Sequence, residues 1–358
     1  MKKIALVTPF FFPVIGGTQT VVINIAKQLK RKGYYVEIIT PKVDKKSKKV
    51  EIYEGIKVVR SFRIPGKILN EIWFHITILP YLKKFDIIHV FHPYFGASGY
   101  LAKKFFKKEF NITLIGWDNY NENESIILDK IVKFFSDRAD MLFASSKDLI
   151  KRAKKQKIKK RIIIIPHGIN IPAPIKSKIN IRKKYFIGKK TLFIYVGRLA
   201  KIKNPLFMVK SWKEIKNKNL FFLIIGDGPL RKQIEFYIKK NKLKNIKLAG
   251  FVSDLELKSI YSSADVLIHY SKYESFGLSI LEGMAYGLPV IAPRTGAIPE
   301  LVTTDVGKLI NLNDKKEFKE AVEKIPNQIN QLKKRALEKA KKYQWRDIIK
   351  EYIRYYEK

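Results

Sequence analysis

Val266-Leu-Ile-His-Tyr-Ser-Lys-Tyr-Glu-Ser-Phe-Gly-Leu-Ser-Ile-Leu-Glu-Gly-Met-Ala-Tyr286 holds, in one stretch, the parts from which an α/β layer is built. The apolar run Val266–His269 predicts a buried strand, Tyr270–Gly277 a loop, and the spacing from Leu278 to Tyr286 a helix. A helix that starts in a loop leaves its first amides without partners, here those near Gly277 and Leu278. Together with the helix dipole they favour an anion in the loop, phosphate above all. Ser275 is placed to cap this helix, and Gly277 keeps side-chain bulk away from its start. Glu274 precedes the helix and Glu282 lies one to two turns into it, so the two carboxylates suit hydroxyl-rich groups at either end of a diphosphate. The plain alternative is two solvated helix carboxylates, and the neighbouring segments decide between them.

The same order occurs upstream. Thr191-Leu-Phe-Ile-Tyr-Val-Gly197 reads as a strand, and Asn204-Pro205 opens the next helix, so Arg198 and Lys203 fall on a strand-to-helix turn. There a forked guanidinium and a compact ammonium can hold phosphate oxygens. With 72 Lys and Arg in the chain, position is what sets these two apart. Phe221-Phe-Leu-Ile-Ile-Gly226-Asp227-Gly228-Pro-Leu-Arg231 repeats the arrangement. It lacks the third glycine of a dinucleotide fingerprint, and reads either as a loop beside a nucleotide or as a structural turn.

Gly197-Arg-Leu with Lys203, Gly226-Asp-Gly-Pro, Gly250-Phe251 before a helix over 254–262, Ala264-Asp-Val, Glu274-x7-Glu282, Met284-Ala-x-Gly-x-Pro-Val290 and Pro299-Glu-Leu-Val302 stand in one order and spacing. That constellation resembles glycosyltransferase family 4, strongly over residues 160–345 and more loosely before them. The resemblance implies a retaining enzyme of the α/β GT-B fold, with two doubly wound Rossmann-like domains facing a central cleft. It implies an acceptor-binding domain at 1–168, a donor-binding domain at 169–342 and a C-terminal helix at 343–358 that crosses back to the first. It also implies a catalytic set of Glu274, Arg198, Lys203 and Asp118. A nucleotide-sugar site would be formed by Gly197, Arg198, Lys203, Gly226, Asp227, Gly228, Phe251, Glu274, Ser275, Phe276, Gly277, Leu278 and Glu282. UDP- or GDP-sugar is the expected donor, as substrate rather than cofactor, and no metal is expected.

In the N-terminal half, Ile4-Ala-Leu-Val-Thr8 reads as a first strand, followed by Pro9-Phe-Phe-Phe-Pro-Val-Ile-Gly16-Gly17 and a helix to Lys32. The family's loop at this place closes over donor and acceptor, which gives Gly16 and Gly17 that role; a flexible turn is the alternative. Asp86-Ile-Ile-His89-Val-Phe-His92 resembles a strand ending in histidines, with His92 assigned to the acceptor and His89 to the core. Asn111-Ile-Thr-Leu-Ile-Gly-Trp-Asp118 resembles the family's His-Gly-x-Asp turn, with Ile115 where many members carry histidine. Trp117 would stack on a sugar face and Asp118 would receive or orient a hydroxyl proton, or else they are a core residue and a turn cap.

Length and alternation agree with two domains: strands near 4–8, 35–40, 86–91, 112–115, 141–144 and 162–165, then 191–197, 221–226, 246–249, 266–269 and 290–292. Pro166-His-Gly-Ile-Asn-Ile-Pro-Ala-Pro-Ile175 reads as the linker. The uncharged stretch Ile4–Ala26 is interrupted by prolines, glycines and polar residues, and so reads as strand, loop and helix rather than a membrane span. Absence of cysteine excludes disulfides and thiolate metal sites and agrees with a cytoplasmic setting. A formal charge of +40 calls for a partner or a compositional cause. The runs Lys42–Lys49 and Lys151–Arg161 suit an anionic membrane surface, on the inner face of which the protein would sit peripherally. No nucleic-acid-binding pattern accompanies them, so no specific nucleic acid is expected. The rival to a transferase is a GT-B binding protein that has lost catalysis and associates with membrane or nucleic acid, or an epimerase on the same scaffold.

Overall fold

The computed structural model describes residues 2–14, 16–44, 47–62, 66–115, 126–175 and 179–358. They form two compact units: Met1–Gly168 together with Trp345–Lys358, and Ile169–Gln344.

The first unit is built on strands β1 (Lys3–Val7), β2 (Tyr35–Pro41), β3 (Val50–Tyr53), β4 (Ile56–Ser61), β5 (Ile87–Phe91), β6 (Glu109–Leu114), β7 (Met141–Ala144) and β8 (Ile162–Ile164). Their order in the sheet is β3-β4-β2-β1-β5-β6-β7-β8. Every pairing is parallel except the β3–β4 hairpin. The chain therefore winds one way from β1 to β2 and β4, then returns past β1 to β5, and the direction reverses between β1 and β5. Ile4–Ala26 is strand, loop and helix as its pattern predicts: β1, then the helix Gly17–Arg31 with Val21, Val22, Ile25 and Leu29 buried. The helix Trp345–Tyr356 packs in this unit, with Trp345 lying where a side chain on Gly168 would be.

The second unit carries β9 (Thr191–Val196), β10 (Leu220–Ile225), β11 (Ile246–Gly250), β12 (Val266–Ile268), β13 (Val290–Pro293) and β14 (Gly307–Ile310), in the order β11-β10-β9-β12-β13-β14 and parallel throughout. Alternation puts Leu192, Ile194, Leu223 and Leu267 into a core on one face and Phe193, Phe222, Ile224 and Ile268 into a core on the other. Strands buried on both sides read as unbroken apolar runs, which is how Phe221–Ile225 looks in the sequence. Each such side chain contributes roughly 1.5–3 kcal/mol by leaving water. Winding reverses here between β9 and β12. Three strands went unread in the sequence: β3, β4 and β14.

Candidate functional site

In an open parallel sheet the carboxyl ends of the strands leave room for a ligand where the winding reverses, because the flanking loops part to opposite sides. In the second unit that place lies between the loops after β9 and β12. The structure sets one charged side chain from each against the other: Lys203 Nζ lies 2.6 Å from Glu274 Oε2. The same oxygen has His269 Nε2 at 3.2 Å and accepts from Ser271 Oγ at 3.3 Å. Glu274 is buried. Burial alone would raise its carboxyl, but Lys203 and His269 outweigh that and hold it well below its ordinary value of 4.5. It is an anion fixed in place before any ligand arrives.

Backbone hydrogen bonds make the loops around this pair one piece. Lys272 N donates to Ile202 O (2.8 Å), joining the loops after β12 and β9. Ala297 N donates to Glu274 O and Thr295 Oγ1 to Ser271 O, both at 2.8 Å, which adds the loop after β13. On the other side Leu199 N donates to Asp227 O (2.9 Å) and Leu230 N to Leu199 O (2.9 Å), so the loop after β10 is tied to that after β9. Gly226, at φ 123°, leaves no room for a side chain: a Cβ there would lie 2.1 Å from Gly197 O. Gly226-Asp-Gly is thus a structural turn on any reading. Asp227 is held by Arg231 (2.7 Å) and accepts from Gly228 N (2.7 Å).

The helix Leu278–Ala285 begins two residues later than one capped by Ser275 would. Gly277 takes the N-cap at φ 102°, a left-handed conformation that favours glycine, and no side chain caps the helix. Ser275 therefore does not cap the helix but is buried in the loop, and among the described residues no side chain takes the cap in its place. Phe276 turns into the core against Tyr343. Glu282, one turn into the helix and half-buried, accepts from Tyr261 Oη at 3.0 Å. Its carboxyl is raised above its ordinary value by burial, which the Tyr261 hydrogen bond only partly offsets.

Arg198 is exposed, with its carbonyl held by Tyr195 Oη (3.0 Å), and makes no hydrogen bond or ion pair with Glu274. Gly197 is needed for that grip, since a side chain there would meet the Tyr195 hydroxyl at 2.8 Å. Phe251 stands exposed beyond β11. Thus Lys203 and Glu274 are in direct contact, Gly197, Gly226 and Gly228 pack the turn beside them, and Glu282 belongs to a separate contact with Tyr261. Sequence reasoning missed His269, Ser271, Tyr195 and Tyr261. Only His269, the polar end of an apolar run, offered a signal.

In the first unit the reversal lies between β1 and β5. Gly16 and Gly17 follow β1 and start a helix, and His92 follows β5 directly. Gly16 is extended at φ 178°, which any residue adopts, so the backbone itself does not demand glycine there. His92 is at φ 109°, costly for a residue with a side chain, and packs edge-on against Tyr94 at 4.2 Å. His89 is a core residue: Tyr356 Oη contacts its Nδ1, Thr113 Oγ1 lies 2.7 Å from its Nε2, and burial lowers its pKa to about 3. Ile115 is buried at the end of β6. Trp117 and Asp118 lie outside the described residues.

Two parallel doubly wound sheets, each with its loops gathered at a reversal point, define the GT-B class. The fold agrees with the sucrose-phosphate synthase of Thermosynechococcus elongatus (TM-score 0.88, 22% identity, 100% of this chain and 98% of that one). It agrees also with Anabaena HepE in complex with UDP and glucose (TM-score 0.82, 17% identity, all of both chains). An uncharacterized glycosyltransferase of Methanocaldococcus jannaschii is 28% identical over 96% of this chain and 95% of its own. Residues 15–172 match Glycosyltransferase Family 4 and residues 177–343 match Glycosyl transferases group 1. The chain belongs to glycosyltransferase family 4. Among the described residues no helix is long and apolar enough to cross a membrane.

Proposed function

We propose that the chain moves a hexosyl group from a nucleoside-diphosphate sugar to an acceptor hydroxyl with retention of anomeric configuration, binding the donor in the second unit and the acceptor in the first. The observation that carries this reading is the Lys203–Glu274 pair, set at the reversal point of the second sheet beside an uncapped helix start. Glu274, kept ionised, accepts hydrogen bonds from hydroxyls of the donor sugar. Lys203, paired with Glu274, brings its ammonium to the diphosphate, Arg198 reaches it from the same turn, and the amides at Gly277 and Leu278 receive a phosphate oxygen. These donors are in place before the bond between sugar and diphosphate breaks, when negative charge grows on the leaving group. Glu282, steadied by Tyr261, takes the ribose hydroxyls, and Phe251 lies at the rim of the nucleotide site.

In this reading the acceptor hydroxyl attacks from the side the diphosphate leaves, and its proton passes to a leaving phosphate oxygen. No enzyme nucleophile takes part and no metal is required. Gly16 and Gly17 contribute loop amides, and His92, Trp117 and Asp118 orient the acceptor. The protein acts at the cytoplasmic side of the cell.

Purified protein incubated with UDP-, GDP- and ADP-sugars, with and without a chelator, tests this. Release of the nucleotide from one donor, undiminished by the chelator and lost in Lys203→Ala, is expected, and proton NMR of the product reports its anomeric configuration. Wild-type turnover by Glu274→Gln would remove the assignment of that carboxylate, and an inverted product would remove the mechanism.

A further inference from the structure

The helix Lys67–Leu82, between β4 and β5, is apolar on two sides. Phe74, Ile78 and Leu82 are buried in the core of the first unit. Leu69, Ile72, Trp73 and Ile76, spaced as neighbours along one stripe, point the other way, and each is between 41% and 62% exposed. A helix on the surface of a water-soluble unit ordinarily turns polar residues outward, so this outer stripe needs a partner. It lies in the first two and a half turns, which leave from the carboxyl edge of the sheet.

The same edge carries Phe62, 65% exposed just past β4. Lys49, itself exposed, stands over the Phe62 ring with its ammonium 5.1 Å from the centroid. Arg60 fixes the backbone here: Nη1 donates to Lys48 O (3.2 Å) and N to Lys49 O (2.7 Å), while its Nη2 pairs with Glu51. The result is an apolar rim with a bulky indole, with the cation of Lys49 over Phe62 and Lys48 exposed beside it in the chain. We propose that this rim is a docking surface for an anionic lipid bilayer, into whose interface the stripe Leu69–Ile76 dips while the two lysines meet the headgroups. An indole suits that interface, and lysines beside an apolar stripe are how a helix lies in a membrane surface without crossing it. A second copy of the chain is the poorer occupant, because two molecules at +40 each would be brought together with their cations facing.

This inference is independent of the sugar-transfer reading, since vesicle binding needs no donor. Flotation of the full chain with vesicles of phosphatidylcholine, alone or mixed equally with phosphatidylglycerol, tests it. Binding to the mixed vesicles is expected, weakening as salt is raised. Ile72→Glu combined with Ile76→Glu, and separately Lys48→Glu with Lys49→Glu, should each lower that binding about tenfold or more, with circular dichroism unchanged. The lysine pair lies on an exposed loop, so it remains a test even where the isoleucine pair disturbs folding. Equal binding to both vesicles, no binding, or lysine variants that bind like wild type would overturn the proposal. A dimer in analytical ultracentrifugation that the isoleucine variants dissolve, without vesicle binding, would assign the rim to a second copy instead.

Discussion

The two sheets share one winding and differ in what they place where it reverses. At β9/β12 the second unit has a buried carboxylate with an ammonium at 2.6 Å and an imidazole at 3.2 Å from one of its oxygens, on loops stitched by backbone hydrogen bonds. At β1/β5 the first unit has glycines, a phenylalanine-rich loop and His92 in a strained conformation, with His89 behind it lowered to about 3 by burial. One reversal point is built around fixed charge and the other, among the described residues, around glycines, phenylalanines and histidine rings. That is the division a transferase needs if its donor is a charged diphosphate and its acceptor an uncharged hydroxyl. It also implies that the two places fail differently when altered.

Glu274→Ala is the strongest way to break the contrast. It leaves Lys203 and His269 facing an empty, buried spot, so turnover of the nucleotide sugar should fall about 10²–10³-fold. The change should appear in kcat, while a variant whose turnover matches wild type would show that the charged reversal point is a scaffold. The pH response of stability sharpens the same point. Since Glu274 is held below its ordinary value, its ion pair contributes stability that is complete above about pH 4.5 and is lost as the pH falls below that value. Denaturant unfolding from pH 7 to pH 3 should therefore lose part of its pH dependence in Glu274→Gln.

Gly226→Ala comes next and tests the stitching rather than the charge. The added Cβ would lie 2.1 Å from Gly197 O at a φ of 123°, so the turn must move. A loss of about 3 kcal/mol is expected, read as a lowered melting temperature. Nucleotide affinity should weaken with it, because Arg198 and Lys203 follow Gly197 on the same turn.

His92 is the counterpart in the first unit. Replacing it by glycine removes both the ring and the strain at φ 109°, while alanine removes the ring alone. His92→Gly should therefore be about 1 kcal/mol more stable than His92→Ala, measured by denaturant unfolding. If the ring orients the acceptor, both should lower transfer about tenfold and leave donor hydrolysis unchanged.

Much of the second unit was legible because its information is local. Strand, glycine turn and helix follow one another within twenty residues at β12, and long apolar runs mark strands buried on both faces. What was not legible is made by distant residues. Lys203 and Glu274 are 71 positions apart, and only the family resemblance placed them together. Ser271, Tyr195 and Tyr261 look like any hydroxyl residue until the fold sets each against a partner. Ser275 misled because capping preference is weaker than the left-handed turn that Gly277 makes possible. The strands β3 and β4 were missed although Glu54-Gly55, both at positive φ, form their tight turn, because the basic residues on either side obscured the alternation. Phe62, Leu69 and Trp73 were visible in the sequence, but nothing in it told which side of their helix the core would leave open.

The finest difference lies within the second unit, between the two carboxylates of Glu274-x7-Glu282. Glu274 is held down by an ammonium and an imidazole, whereas Glu282 is raised by burial and has a tyrosine hydroxyl on one oxygen. A carboxylate with a single neutral partner is set up for position more than charge, as ribose hydroxyls require. Tyr261→Phe removes that partner and keeps the ring stacked on Tyr286 at 5.1 Å. The lost hydrogen bond amounts to roughly 1 kcal/mol, so KM for the donor should rise about fivefold with kcat unchanged. Were kcat to fall instead, Glu282 would share in the chemistry, and the division of labour between the two carboxylates would not hold.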